Sequence, residues 1–267
     1  MINPNNPPKL NNVKRRCLIL SPTENAGLEP ESQISDFEKE REIGNCVWKV
    51  IHKKTKKVYF IKVIRKDKIL EKSLLEQLNR EIEIMYIINN PHCLKLKNHF
   101  EDDINFYLVI PVADKGQLYT ALNKSKKFDE LIAAQFLREI IRALQYLHSF
   151  KPPIIHRNIK PENILLNESG RVLLSGYKKS DFFDENFKIT PCYIPEYKAP
   201  EIILNKEYDT RVDIWSIGIL MFELLSGYTP FAAKTNLEIY KNIIKLNIQW
   251  PKNMSPLAKN LITRILK

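Results

Sequence analysis

The stretch IIHRNIKPENILL, Ile154 to Leu166, sets His156, Arg157, Asn158, Lys160 and Asn163 between two apolar flanks that read as core strand or turn. Cations and hydrogen-bonding side chains gathered in one loop suit the handling of phosphate oxygens. The position best suited to a carboxylate is filled by an amide, Asn158. An amide accepts a hydrogen bond and orients a hydroxyl but has no useful basicity, whereas a positioned general base contributes roughly 10²–10⁴-fold. Upstream, Lys62 on one expected strand and Glu81 on an expected helix form a second candidate group, a phosphate-holding lysine whose position a glutamate fixes.

These groups need elements to bring them together. Short β-prone runs at Phe37–Ile43, Val47–His52 and Val58–Ile64 predict an antiparallel meander. Leu74, Leu75, Leu78, Ile82, Met85 and Ile88 recur at helical spacing, and strands follow at Leu94–Glu101 and Asn105–Val112. Beyond Lys115-Gly116 the pattern turns helical: Gln117–Lys124, then Asp129–Ser149 with Asp129 as cap and Ile132, Phe136, Ile140, Leu144 and Leu147 on one face. Further helices are expected at Thr210–Ser226, Asn236–Leu246 and Pro256–Ile265. The implied architecture is α+β and bilobal, with a cleft between a small sheet-rich lobe and a larger helical one, a usual place for a ligand.

Composition narrows the class. At 267 residues, 44% hydrophobic and 27% charged, the chain can bury a substantial core. Its four cysteines form no C-x-x-C pair, so neither a zinc site nor a disulfide framework is indicated, and a reducing, cytoplasmic setting is expected. No apolar run is long enough for a membrane span. A net charge of +11 attracts acidic surfaces, but the lysine clusters sit at expected turns without interleaved aromatics, so specific nucleic-acid binding is not expected and a protein partner is. Residues 1–36, rich in Asn, Pro and Ser, read as a flexible extension.

The motif set is specific once taken in order: Lys62, Glu81, then His156-Arg157-x-x-Lys160-Pro161-Glu162-Asn163, Ala199-Pro200-Glu201, and Asp213-Ile214-Trp215-Ser216-x-Gly218. On these residues the chain resembles the eukaryotic Ser/Thr protein kinases over residues 37–267, with wording closest to the Aurora and calmodulin-dependent branches. The resemblance implies a small lobe at 37–112, a hinge at 111–116 and a large lobe at 117–267. It also implies a later arginine, partner of the glutamate matched by Glu201, that falls past Lys267. Lys62 and Glu81 match the family's paired lysine and glutamate, Lys160 and Asn163 its loop lysine and loop asparagine. Met85, Leu96, His156 and Tyr177 match a buried spine anchored by Asp213. Arg157 and Thr190 match a candidate regulatory pair in which a phosphorylated threonine meets an arginine.

Against that pattern, two acids are missing. Asn158 stands for the loop base and Gly176, in Gly176-Tyr177-Lys178, for the acid that holds magnesium. Asp181-Phe182-Phe183 imitates the missing motif but falls too late in the chain, inside the activation segment. The nucleotide pocket of the resemblance comprises Gly44, Trp48, Val50, Phe60, Ile110, Ala113 and Leu165. One glycine remains of three, Trp48 is expected to crowd the phosphates, and Phe60 to fill the space where adenine would lie against Leu165. These residues lead to the expectation of a non-enzyme, a kinase-like scaffold or allosteric partner with no metal and with weak or absent ATP and magnesium binding. The alternatives are a weak or unconventional Ser/Thr kinase and an ATP sensor without phosphotransfer.

Overall fold

The structure, a computed structural model, describes residues 32–44, 46–69, 71–183 and 194–267. Most of the expected N-terminal extension and Thr190 lie outside the described residues.

The meander forms as the alternation requires. Strands β1 (Phe37–Gly44), β2 (Val47–His52) and β3 (Val58–Arg65) are followed by helix α1 (Lys72–Ile87), then β4 (Asn98–Glu101) and β5 (Asn105–Ile110), closing a five-stranded antiparallel sheet ordered β1-β2-β3-β5-β4. Because side chains alternate across a strand, the sheet has two apolar faces. The outer face carries Val50, Tyr59, Ile61, Tyr107 and Val109 with Phe37, and Trp48 and Phe100 pack against it. The inner face presents Phe60, Lys62, Leu108 and Ile110; Phe60, Leu108 and Ile110 join the same apolar core as Leu78, Ile82 and Met85 of α1.

One expected strand is shorter than the sequence suggests. Leu94 to Lys97 bond to three different elements: Leu94 N–H to Leu174, Leu96 N–H to Met85 and Lys97 N–H to Val109. Residues that serve as a strap between α1, the sheet and the other lobe cannot also run a continuous ladder, so β4 starts only at Asn98.

After the short strand β6 (Gly116–Gln117) come α2 (Leu118–Ser125) and α3 (Glu130–His148), the latter capped by Asp129, which accepts from Ile132 N–H at 2.8 Å. The face of α3 turns slightly from the expected one: Ala133 and Leu137 are buried while Ile132 is exposed. Strands β7 (Ile154–Ile155), β8 (Ile164–Leu166), β9 (Val172–Leu174) and β10 (Asp181–Phe182) follow; β8 lies between β6 and β9, and β10 pairs antiparallel with β7. The remaining helices are α4 (Pro200–Ile203), α5 (Arg211–Ser226), α6 (Asn236–Ile244) and α7 (Pro256–Ile265).

Helix α5 is apolar nearly all round and therefore central. Gly218 lets the end of α7 approach: a Cβ there would lie 2.7 Å from Leu266 and 2.8 Å from Ile265. Among the described residues no helix is long and apolar enough to cross a membrane.

Candidate functional site

The loop after β7 is held from below by a carboxylate. Asp213, fully buried on α5, accepts from the backbone N–H of His156 at 2.8 Å and of Arg157 at 2.7 Å, and meets His148 Nε2 at 2.9 Å. Arg157 can then adopt a left-handed backbone, φ +60°, which a bulky residue takes only when its surroundings fix it.

His156 is fully buried, its ring edge-on to Tyr177 at 5.3 Å. Nε2 lies 2.9 Å from the Ser175 carbonyl, and Asn158 N–H lies 3.3 Å from Nδ1, so a neutral ring protonated on Nε2 satisfies both. Burial pushes its pKa down to about 4. Being neutral and sealed, His156 does no proton transfer. The rest of the matched spine is buried with it: Met85 and Leu96 joined by a backbone hydrogen bond, and Tyr177 donating its hydroxyl to Leu174 O at 2.7 Å.

Lys62 and Glu81 meet across the small lobe, Nζ to Oε1 at 3.1 Å, with the glutamate buried and the lysine one-third exposed toward the cleft. Lys160 lies 3.7 Å from Glu162 on the loop below. Asn163 donates to the Asn158 carbonyl at 2.7 Å, and Asn158 donates to the Gly176 carbonyl at 3.3 Å. Two side-chain amides and two peptide carbonyls thus close a small network where the resemblance implies two carboxylates.

Gly176 explains itself sterically. Its φ is +85°, and an added Cβ would fall 2.4 Å from Asn163 Cγ. The Asn163 amide occupies the room that a side chain at 176 would need, and its nitrogen is committed to Asn158. A magnesium ion prefers carboxylate and phosphate oxygens in a near-octahedral array. Neither Asn158 nor Gly176 supplies such a carboxylate, and among the described residues no group of three His, Cys, Asp or Glu side chains could hold an ion. The donor set does not fit magnesium.

The nucleotide pocket is divided. Phe60, Ile110 and Ala113 lie in one apolar cluster against which Leu165 packs, Phe60 being opposite Ile110 in the β3–β5 register and on the same face as Lys62. Trp48 and Val50 do not face the cleft. Trp48 pairs with Ile61 and packs on the outer sheet face, with Lys39 over its ring at 5.1 Å, and Val50 is fully buried in the same outer cluster. The expectation that Trp48 crowds the phosphates is therefore corrected: counting from Lys62 in the paired strand, Val47 takes the inward place and Trp48 the outward one. Gly44 pairs with Val47 at the end of the hairpin, exposed.

Arg157 is engaged rather than waiting. Its Nε donates to the Lys179 carbonyl at 2.6 Å and Nη1 to the Tyr208 hydroxyl at 3.2 Å, while Nη2 sits 3.5 Å from Asp181. Sequence reading missed Arg80, which reaches Asp181 from the helix position next to Glu81; that adjacency was the only available signal.

Residues 37–267 match the protein kinase domain model, and the chain belongs to that family. It is 35% identical to an Aurora kinase of Candida glabrata over 96% of this chain and 76% of that protein. It is 35% identical to Aurora kinase B of Danio rerio over 88% of this chain and 74% of the relative, and 34% identical to Aurora kinase B of Mus musculus over 88% and 68%. These relatives overturn the expectation of a non-enzyme drawn from Asn158 and Gly176, because they point to an active protein kinase. The physical reason is that a protein contributes position and charge to phosphoryl transfer more than covalent chemistry, so a missing base slows the step without abolishing it.

Two outcomes test this site. Gly176→Ala, which must displace the Asn163 amide and keep a left-handed backbone, lowers the unfolding free energy in urea by about 2 kcal/mol. His156 gives a pH signature. Its folded pKa lies below its unfolded value, so the unfolded state takes up the extra proton, and stability is lost as pH falls from about 6.5 to about 4. The stability of the wild type relative to His156→Asn drops by about 3 kcal/mol across that window and stays level below it.

Proposed function

We propose that the chain is a slow Ser/Thr-type protein kinase that works by position and charge. One observation carries the reading: Lys62 is held by a buried Glu81 at 3.1 Å, so an ammonium is fixed on the cleft face of the sheet where it can meet phosphate oxygens. Lys160 adds a second cation from the loop below. Asn158 has its amide nitrogen turned to the Gly176 carbonyl, which leaves its oxygen to accept from a substrate hydroxyl. It orients the nucleophile and takes no proton. Such chemistry is available to phosphoryl transfer because its transition state is loose and the enzyme chiefly aligns and neutralises.

The substrates are proteins, as the kinase domain and the Aurora kinase relatives suggest. Phe60 sits on the adenine side of the cleft and weakens nucleotide affinity, the second reason for a low rate. The donor set does not fit magnesium, and none of these roles uses it.

Transfer of radiolabelled phosphate from ATP to a mixed Ser/Thr peptide array is the test. Incorporation falls about 10²-fold or more in Lys62→Met, which removes the fixed charge. In Asn158→Asp, which restores a base, incorporation rises within the roughly 10²–10⁴-fold range of general-base catalysis. Incorporation unchanged by Lys62→Met contradicts the proposal, and so does nucleotide-induced thermal stabilisation with no transfer at all, which would make the chain a sensor.

A further inference from the structure

Asp181 opens the Asp-Phe-Phe triplet that imitates a metal-binding motif, yet its carboxylate has a different occupation. Pairing of β10 with β7 sets Asp181 opposite Ile155, one residue before the His156-Arg157 corner. Its side chain is one-tenth exposed. Oδ1 accepts from Arg80 Nε of α1 at 2.8 Å and from Phe182 N–H at 2.9 Å, and Oδ2 faces Arg157 Nη2 at 3.5 Å. Arg80 directly precedes Glu81, so whatever holds Arg80 also sets the rotation of the turn that offers Glu81 to Lys62.

We propose that Asp181 is a fixed acidic clamp: bridging Arg80 of α1 and Arg157 of the loop, it holds α1 in its inward position without any added phosphate on the segment that follows. Activation segments are commonly ordered by a phosphate that brings negative charge to arginines. Here a genetically encoded carboxylate already faces a buried guanidinium and an arginine of the helix, and the backbone ladder to β7 keeps it there. A monovalent carboxylate suffices because Asp181 and the Arg157 guanidinium are nearly closed to water, where charge pairing is screened little. The inference goes beyond the phosphotransfer reading and is tested without it.

Hydrogen exchange followed by mass spectrometry on the full chain reads the clamp directly, with peptides from α1 compared against peptides from β3 and β5. Phosphatase-treated protein is expected to keep the α1 protection of untreated protein. Asp181→Asn and Arg80→Gln each speed α1 exchange about tenfold while β3 and β5 stay protected, and the double variant is no faster than either single one. Asp181→Glu, which keeps the charge, restores most of the protection. Should Asp181→Asn not fold, Arg80→Gln decides alone: its side chain is one-third exposed, and it leaves Asp181 facing Arg157. Loss of α1 protection on phosphatase treatment, or unchanged α1 exchange in Arg80→Gln, overturns the proposal.

Discussion

The buried carboxylate of Asp213 is the constraint on which the cleft depends. It lies on a helix surrounded by core, and its oxygens take the backbone N–H groups of His156 and Arg157 and the ring of His148. Those N–H groups belong to a corner that has turned left-handed and cannot use a regular ladder, so the carboxylate satisfies donors that would otherwise be buried without partners. With the corner fixed, His156 can set its ring edge-on to Tyr177, Arg157 can reach Lys179 and Tyr208, and Asn158 can meet Gly176. The loop is shaped from beneath, independently of what it holds above.

That independence lets the chemistry above the loop diverge while the frame persists. Replacing two acids by asparagine and glycine has not left a hole. Asn163 has filled the space at 176 and tied itself to Asn158, giving a neutral, self-satisfied network in place of a charged one. A neutral network has no like charges to hold apart and needs no cation to stabilise it. Two ammonium groups remain at the cleft, Lys62 and Lys160, each beside a glutamate. Each ammonium keeps donors that can meet an anionic ligand, which is the basis of the proposed phosphate handling.

Much of this was legible in the residues. The antiparallel sheet, α1 and the long helix α3 follow from periodicity, and Lys62 can be paired with Glu81 from the sequence because strand and helix are both clear. The acids missing at 158 and 176 were equally plain. Less legible was direction. Counting along a degenerate glycine loop places Trp48 on the phosphate track, but the β2–β3 register, which only pairing reveals, turns it outward. Asp181 resembles a chance match because a motif is read along the chain, while its partners lie 101 and 24 residues earlier: Arg80 on α1, and Arg157 on the loop after β7, which β7–β10 pairing brings beside it. The expected non-enzyme failed for another reason: absent side chains show which catalytic term is lost, not whether the rest still suffice.

The central claim is that this cleft grips phosphate through lysines positioned by glutamates and not through a metal held by acids. Thermal unfolding of the chain with ATP, in the presence of a chelator and again with excess magnesium, tests it most directly. The account predicts a stabilising shift with ATP in the chelator that magnesium does not increase. A shift that appears only when magnesium is added would contradict it.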